Sequence, residues 1–353
     1  MSLPLYAAAL LPGLFALAAL FLGGAWLWAT PLFVFGLVPL SELLLPAHAG
    51  PADPGQPSPA RRRAADLLIA LTLPLQGAVV LAFLAGASSG AWSAAEWLGA
   101  LASTALGCGG YGINVAHELG HRPERGWRLA ARFLLVTSFY DHFYVEHNRG
   151  HHARVATDAD PASSRQGETL YAFWLRSMVG GWRSAFAIEA ARLQGKARHP
   201  VFTLQNTVLV GQIVQIALFA AAAAVFGLPA ALGWLLAGLG GGLLLETINY
   251  IEHYGLRRAT GPDGRPERVR PVHSWNSDHP FGRVLLFELS RHSDHHAHPA
   301  RHYAALRHFE DAPQLPTGYP GMMLLAAVPP LFFRVMDARL AAERARLAAR
   351  SAA

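Results

Sequence analysis

Residues 204–253 read LQNTVLVGQIVQIALFAAAAAVFGLPAALGWLLAGLGGGLLLETINYIEH, with no charged side chain before Glu246. One helical crossing of a bilayer needs about 20 apolar residues, so this stretch is long enough to cross twice. Gly227 lies where the chain has to turn between the two crossings. The stretch therefore predicts a pair of membrane helices that ends at His253.

Three further regions lack charge: Met1–Ser41, Leu67–Ala95 and Trp97–Ala116. Together the uncharged regions predict an all-α polytopic membrane protein with six transmembrane helices in a single domain, residues 1–353. The six predicted spans are Leu5–Leu22, Trp26–Leu45, Leu67–Gly86, Trp97–Val115, Leu204–Phe226 and Ala230–Tyr250. The larger connections are residues 116–203 and 251–353.

The positions of the basic residues predict the orientation. Of the 29 Lys and Arg residues, fifteen run from Arg61 to Arg198, outside the predicted spans, and the other fourteen begin with Arg257. Since basic residues near span ends stay on the cytoplasmic side, both termini and regions 116–203 and 251–353 are predicted to be cytoplasmic, in a bacterial-type inner (plasma) membrane. The formal charge of +6 suits anionic membrane lipid and an acidic soluble partner, and no nucleic-acid partner is predicted.

Nine of the seventeen histidines fall into four short clusters. On a helix, residues three or four apart share a face, so the pairs His117/His121 and His147/His151 can each point at one centre. By the same spacing, His292, His295 and His296 of the last cluster are predicted to point at one centre. The clustered histidines are His117, His121, His147, His151, His152, His253, His292, His295 and His296.

Nine imidazoles exceed the needs of one ion, whereas two ions with four or five nitrogen ligands each would use them all. The single Cys108 leaves no thiolate site. A zinc site closes with four ligands or keeps three plus water, so the number of histidines favours a redox metal. Imidazole suits both iron and copper, and iron is the first choice. The sequence thus predicts a dimetal centre just inside the cytoplasmic membrane boundary.

Carboxylates accompany each cluster, because two divalent ions held by neutral ligands leave a charge that must be balanced. Their carboxyl oxygens can accept the second ring N–H of a histidine or bind the metal directly. Polar residues inside the spans, on the helix faces that carry His117 and His253, either join helices by hydrogen bonds or serve catalysis. The residues predicted around the ligands are Glu118, Glu146, Glu252, Asp294, Asn114, Asn249 and Glu246.

Two other functions compete with this interpretation. His117-Glu118-x-x-His121 matches the zinc metalloprotease signature, with Glu118 as the base, which would leave seven clustered histidines idle. A metal transporter would hold its ion near the membrane midplane between broken helices, whereas these clusters lie at span ends.

The clusters resemble the motifs of the membrane-bound alkane 1-monooxygenases. The similar segments are His-Glu-Leu-Gly-His at 117–121, Glu-His-Asn-Arg-Gly-His-His at 146–152, Asn-Tyr-Ile-Glu-His-Tyr-Gly-Leu at 249–256 and Arg-His-Ser-Asp-His-His-Ala at 291–297. The third is more particular to alkane hydroxylases than the others, which also occur in desaturases. Arg122 stands where that family often has Lys, and Ser290 where it commonly has Gln.

The resemblance implies a non-haem diiron monooxygenase with the nine clustered histidines as its ligands and no catalytic side chain beyond the metal centre. It implies O2 as co-substrate and hydroxylation of the terminal methyl group of medium- or long-chain n-alkanes. Rubredoxin would supply the electrons, with rubredoxin reductase behind it. A xylene-type methyl hydroxylase or a fatty-acyl desaturase would use similar histidines and remains an alternative.

Overall fold

The computed structural model describes residues 3–45, 47 and 55–352. Over these ranges the fold is helical, and the β-type pairing consists of two isolated bridges, Thr260 with Pro266 and Asn276 with Gln314. The α-helices are α1 Leu3–Ala7, α2 Leu11–Leu22, α3 Ala29–Leu32, α4 Val38–Leu44, α5 Pro59–Ser88, α6 Ala94–Gly107, α7 Asn114–Gly120, α8 Arg125–Thr137, α9 Phe143–Glu146, α10 His152–Arg154, α11 Leu170–Leu193, α12 Thr207–Phe226, α13 Leu228–His253, α14 Pro280–Leu285, α15 His292–Ala297, α16 Tyr319–Ala326 and α17 Pro329–Ala352.

Short segments with other hydrogen-bond patterns connect or interrupt these helices. The 3₁₀ segments are Ala8–Leu10, Gly24–Trp28, Pro271–His273 and Tyr303–Ala305, and the π-helical segments are Phe33–Leu37, Cys108–Ile113 and His147–His151. A π-helical turn contains an extra residue, so it changes which side chains share a face. Two of the three π-helical segments lie beside or within a histidine cluster.

The membrane helices largely match the prediction. Among the described residues, five helical segments are long and apolar enough to cross a membrane: Leu5–Leu22, Gly24–Leu44, Pro59–Ser88, Thr207–Phe226 and Leu228–His253. They confirm an all-α, multi-pass membrane protein. The sixth predicted span, Trp97–Val115, is not confirmed. It lies in the continuous helical run 94–120, whose glycine, serine, threonine and asparagine residues make it less apolar.

Helix ends differ from the predicted boundaries where local capping decides them. Helix α5 begins at Pro59 because the Ser58 side chain accepts a hydrogen bond from the Arg61 backbone N–H and proline suits the first turn. The Asn206 side chain caps α12 through two backbone N–H groups. Helix α13 continues to His253, one turn beyond the predicted end, so this histidine is fixed to a 26-residue helix.

Helix α13 is the centre of the bundle and packs against α5, α6 and α12. Glycines let its neighbours approach closely. A Cβ atom on Gly241 would lie 2.7 Å from the Cβ of Cys108, and one on Gly238 would lie 2.8 Å from the carbonyl oxygen of Ser138. Small residues at such contacts are how membrane helices gain packing energy. This packing fixes the position of the end of α13 relative to the end of α7. Both helices end on the same side of the bundle, which is hereafter called the histidine end.

The chain after α13, residues 254–352, lies over the histidine end and is hereafter called the cover. Buried aromatic residues of α13 and its extension, Tyr250 and Tyr254, pack against Phe332 of α17. The Tyr6 hydroxyl donates a 2.8 Å hydrogen bond to Glu288, which joins the start of the chain to the loop before α15. The cover is therefore tied to the membrane helices on two sides.

Candidate metal centre

The first cluster lies at the end of the helical run 94–120. His117 is in the last turn of α7, and His121 follows directly after the helix. They are four residues apart on a helical path, and both point at one centre. The structure therefore places His117 and His121 in the same histidine group, as their spacing indicated.

The second cluster is built differently from the prediction because its backbone is π-helical. In the segment His147–His151, residues five apart share a face instead of residues four apart. His147 consequently points at the same centre as His152, and His151 points at the other one. The interpretation that His147 and His151 face one centre was wrong, and the π-helical turn is the physical reason.

The remaining histidines come from the cover and from α13. His253 is the last residue of α13, and α15 carries His292, His295 and His296. His292 and His296 are four apart and face one centre, whereas His295 faces the other. The interpretation that all three point at one centre was wrong, because the adjacent His295 and His296 project about 100° apart around α15.

The five-histidine group consists of His117, His121, His147, His152 and His295, with one ring nitrogen of each within 4.8 Å of the others. The Nε2 atoms of His117 and His295 are 2.6 Å apart, and those of His147 and His152 are 2.9 Å apart. His152 and His295 are 3.2 Å apart by the same atoms. His121 and His152 are half-buried, and the other three are buried.

The four-histidine group consists of His151, His253, His292 and His296, all buried. The Nε2 atom of His296 lies 3.2 Å from that of His151 and 2.8 Å from that of His292. The Nε2 atoms of His292 and His253 are 3.2 Å apart. All nine clustered histidines are thus brought together in two neighbouring sets.

The chemistry of these donors fits metal ions. Burial and neighbouring histidines lower the pKa of His117 and His147 well below the ordinary value, and burial lowers the pKa of His121 to about 4. The rings are therefore neutral near pH 7, with a lone pair on each unprotonated nitrogen. The Nε2 atom of His121 is buried without a hydrogen-bond partner among the described residues. Converging neutral nitrogens of this kind could hold a metal cation.

His151 differs from the other histidines because a carboxylate holds its far nitrogen. Its Nδ1 atom is 2.9 Å from Asp160, which is itself buried and also accepts a hydrogen bond from the Ser163 hydroxyl. Burial lowers the pKa of His151, but Asp160 more than offsets this and the pKa is raised. The sequence analysis missed Asp160. The spacing of residues in the sequence does not distinguish Asp160 from Asp158 in the same loop, although the Asp158 side chain is 84% exposed.

The carboxylates predicted near the ligands have other partners. Glu118 forms an ion pair with Arg122 at 2.7 Å, and Glu146 forms one with Arg154 at 2.8 Å. Asp294 accepts hydrogen bonds from the backbone and side chain of Arg307. These ion pairs neutralise buried charge beside the histidines and anchor the segments that carry them.

Glu252, one of the predicted carboxylates, also lies beside the four-histidine group. One oxygen accepts a 2.6 Å hydrogen bond from the Tyr319 hydroxyl, and the other lies 3.0 Å from the Nε2 atom of His292. That second oxygen has no hydrogen-bond partner in the part of the chain that the structure describes. A carboxyl oxygen without a hydrogen-bond partner among those residues is therefore available at the edge of the four-histidine group.

The polar residues predicted inside the spans lie beside the centre. The Glu246 side chain accepts a 2.7 Å hydrogen bond from the Tyr140 hydroxyl and a 3.3 Å bond from the Asn249 amide. The Asn114 amide donates to the Leu286 carbonyl oxygen at 3.5 Å. These contacts join α13 to the loop before α9 and α7 to the loop after α14, so the side chains take part in structural hydrogen bonds.

An apolar cavity of about 90 Å³ lies between the run 94–120, α13 and the cover. A smaller cleft continues from it, shares Asn114, Ile248 and Tyr319 with it, and reaches His117 and His292. The cavity therefore leads from the apolar interior of the bundle to both histidine groups. Its walls offer almost no polar group.

Comparisons with known proteins agree with this architecture. A family model described as fatty acid desaturase matches residues 91–325. The chain is 40% identical over 329 residues to alkane 1-monooxygenase 1 of Alcanivorax borkumensis, covering 89% of this chain and 78% of that protein. It is 40% identical over 317 residues to alkane 1-monooxygenase of Ectopseudomonas oleovorans, covering 87% and 76%. The hydroxylase component of xylene/toluene monooxygenase of Pseudomonas putida is 27% identical over 331 residues, covering 91% and 84%.

The chain thus belongs to the fatty acid desaturase family of helical proteins with histidine clusters. Within this class, identity near 40% over most of both chains places it among the alkane 1-monooxygenases. The resemblance predicted from the four motifs is confirmed. A zinc protease site built on His117 and His121 would require only one further ligand, whereas these two residues share their group with three others.

Proposed function

We propose that the protein hydroxylates the terminal methyl group of medium- or long-chain n-alkanes to give primary alcohols. The overall reaction consumes O2, two electrons and two protons, inserts one oxygen atom into the C–H bond and releases the other as water. The observation that carries this proposal is the apolar cavity leading to two adjacent histidine groups in a chain of this family. Rubredoxin is the proposed electron donor.

The nine clustered histidines are the proposed ligands of two iron ions, with five and four nitrogen donors. When bound, the iron pair supplies the redox chemistry that activates O2. Support comes from the donor set, because neutral imidazoles without thiolates suit iron and the family is one of oxygenases and desaturases. Asp160 holds the ring of His151 in orientation, and Glu252 would supply compensating negative charge when it loses its proton to a bound cation.

The protein's own contribution to the reaction is to position the alkane. An alkane has no polar group that a hydrogen bond could hold, so the shape of an apolar cavity must select it. Ile248 and Leu286 belong to both the cavity and the cleft that reaches the histidines. They would hold the terminal methyl group near the centre and exclude water from it.

The proposed location is the bacterial inner membrane, with both termini and the histidine end on the cytoplasmic side. We treat residues 1–353 as one integral-membrane domain. The support is the distribution of the 29 basic residues, all of which lie outside the predicted spans in the regions assigned to the cytoplasm. A soluble acidic donor would reach the histidine end from that side.

The test uses purified full-length protein with iron, rubredoxin, rubredoxin reductase, NAD(P)H and octane. Mass spectrometry should detect 1-octanol, and ¹⁸O2 should place one labelled atom in it. Metal analysis of the same sample should give two iron ions per chain. Equal turnover without an electron donor, or one zinc ion per chain, would refute the proposal.

A second candidate is hydroxylation of a methyl group on an aromatic ring. It is favoured by the similarity to the hydroxylase component of xylene/toluene monooxygenase, although at lower identity. Parallel assays with octane, p-xylene and a fatty-acyl substrate separate the candidates. Octanol as the main product supports the first proposal, and methylbenzyl alcohol or a desaturated acyl chain would replace it.

A further inference from the structure

Helix α8 presents arginine and apolar side chains on its surface, and none of them belongs to the two histidine groups. Arg125, Arg128 and Arg132 recur three or four residues apart along Arg125–Thr137, so they share one face. Leu129 and Phe133 each follow one of these arginines in the helix and are 69% and 46% exposed. Such an amphipathic face is typical of a helix at a membrane surface.

An apolar groove begins beside this helix. It has a volume of about 800 Å³ and lies between α5, α8 and α12. The α12 residues that line it run from Val210 to Phe226, a length of roughly 24 Å at 1.5 Å per residue. The groove is thus long enough for an extended acyl chain, and it opens toward the region where bilayer lipid lies.

A second pocket joins the groove at the histidine end. It has a volume of about 350 Å³ and is lined by Arg125, Arg128, Leu129 and Arg132. Leu129 and Arg132 belong to both the pocket and the groove, so the two are continuous. The combined site therefore has a cationic end and an apolar end.

The arginines of this pocket differ in their partners. Arg132 forms two hydrogen bonds with Asp141, at 3.1 and 2.5 Å, so its charge is balanced. Over the described ranges, Arg125 and Arg128 have no ion pair or side-chain hydrogen bond, although the exposed Glu124 is next to Arg125 in the chain. Two uncompensated positive charges thus border the mouth of an apolar groove.

From this arrangement we infer that the site binds one anionic phospholipid of the leaflet at the histidine end. Its phosphate pairs with Arg125 and Arg128, and one acyl chain lies in the groove along α12. An alkane would leave both arginines without a partner, and inorganic phosphate would leave the groove empty. Only an anionic amphiphile satisfies both ends, and anionic lipid is abundant on the side to which basic loops are retained.

The test measures lipid binding to delipidated full-length protein in detergent by native mass spectrometry. The probes are palmitoyl-oleoyl phosphatidylglycerol, palmitoyl-oleoyl phosphatidylcholine and palmitate. One phosphatidylglycerol should bind most tightly, and the R125Q/R128Q variant should weaken it about 30-fold, five- to sixfold per arginine. Arg183→Gln, on the exposed surface of α11, should leave binding unchanged.

Filling the groove tests the apolar end independently. Val214→Trp places a large ring in the groove and should weaken phosphatidylglycerol and phosphatidylcholine alike. Ile213→Trp on the same helix is the matched control, because Ile213 is exposed but does not line the groove. Both tryptophan variants should elute as the wild type does on size exclusion.

Three results would overturn the inference. The first is equal affinity for phosphatidylglycerol and phosphatidylcholine, which would remove the role of charge. The second is unchanged phosphatidylglycerol binding in both R125Q/R128Q and Val214→Trp. The third is tighter binding of palmitate than of phosphatidylglycerol, which would assign the site to a fatty acid instead.

Discussion

The two histidine groups lie next to each other but differ in number, exposure and surroundings. The five-histidine group includes two half-buried members, His121 and His152, and no carboxylate holds the buried Nδ1 atoms of His152 or His295 among the described residues. The four-histidine group is fully buried, with Asp160 on one ring and Glu252 beside another. One group is therefore richer in nitrogen donors and nearer to solvent, and the other is enclosed and more negative.

This difference indicates two distinct tasks for the groups. A site with five neutral donors can lose one and still hold a metal, whereas a site with four donors and enclosed walls has no spare ligand. Negative charge near the four-histidine group stabilises a cation there without adding a nitrogen. The comparison predicts unequal responses to equivalent changes in the two groups.

The largest expected effect is the removal of one donor from each group. His253→Ala should reduce iron from two to about one per chain and abolish octane hydroxylation, because three donors remain. His121→Ala leaves four donors, so it should keep both irons and lose activity by about tenfold. Iron is measured by inductively coupled plasma mass spectrometry, and His199→Ala at an exposed loop is the control. Equal iron loss in both variants would remove the distinction between the groups.

The next effect concerns the carboxylate that orients His151. Asp160→Asn should lower metal affinity by about 10- to 100-fold, because the ring loses the acceptor that fixes its tautomer. Asp158→Asn in the same loop is a matched control, since Asp158 is largely exposed. Affinity is measured by competition with a chelator. Equal affinities for the two variants would show that Asp160 does not act on the centre.

The sequence predicted the helical membrane fold because uncharged runs and basic flanks are local features. It also predicted which histidines come together, since clusters fixed to the same end of packed membrane helices must lie close to one another. It did not predict how they divide, because that depends on the π-helical turn at His147–His151, which composition does not reveal. Spacing of four therefore paired His147 with His151, and the structure pairs His147 with His152.

Long-range contacts were also beyond the sequence. Asp160 and Tyr319 reach the centre from a loop and from the start of α16, and neither stands at a helical spacing from a histidine. Similarly, α5 begins where the Ser58 side chain caps it, eight residues before the start predicted from hydropathy alone. Such features arise when separate segments pack, so they appear only in three dimensions.

Lowering the pH should affect metal binding by the two histidine groups to different extents. A neutral imidazole binds metal and a protonated one does not, so a ring with a raised pKa loses metal at a higher pH. In the metal-free protein, Asp160 raises the pKa of His151, while burial lowers that of His121 to about 4. As pH falls from 7.5 to 5.5, metal uptake should decline from two ions per chain toward one.

The retained ion should be the one in the five-histidine group. In Asp160→Asn the pKa of His151 loses the contribution that raised it, so uptake should be weaker throughout but less dependent on pH over this interval. Metal analysis after anaerobic loading with Fe(II) at each pH measures both trends. Parallel loss of the two ions with pH would contradict the assignment.

The smallest expected effect is the dependence of electron delivery on salt. It tests whether rubredoxin docks by charge at the histidine end, where the half-buried members of the five-histidine group lie. Basic residues surround the histidine end, and raising NaCl from 50 to 500 mM shortens the screening length about threefold. Rubredoxin-dependent turnover should therefore fall several-fold, mainly through slower association. Turnover driven by a small uncharged reductant should change little in the same salt series. If both reductants responded alike, the salt effect would lie in the protein itself and not in the docking of rubredoxin at the histidine end.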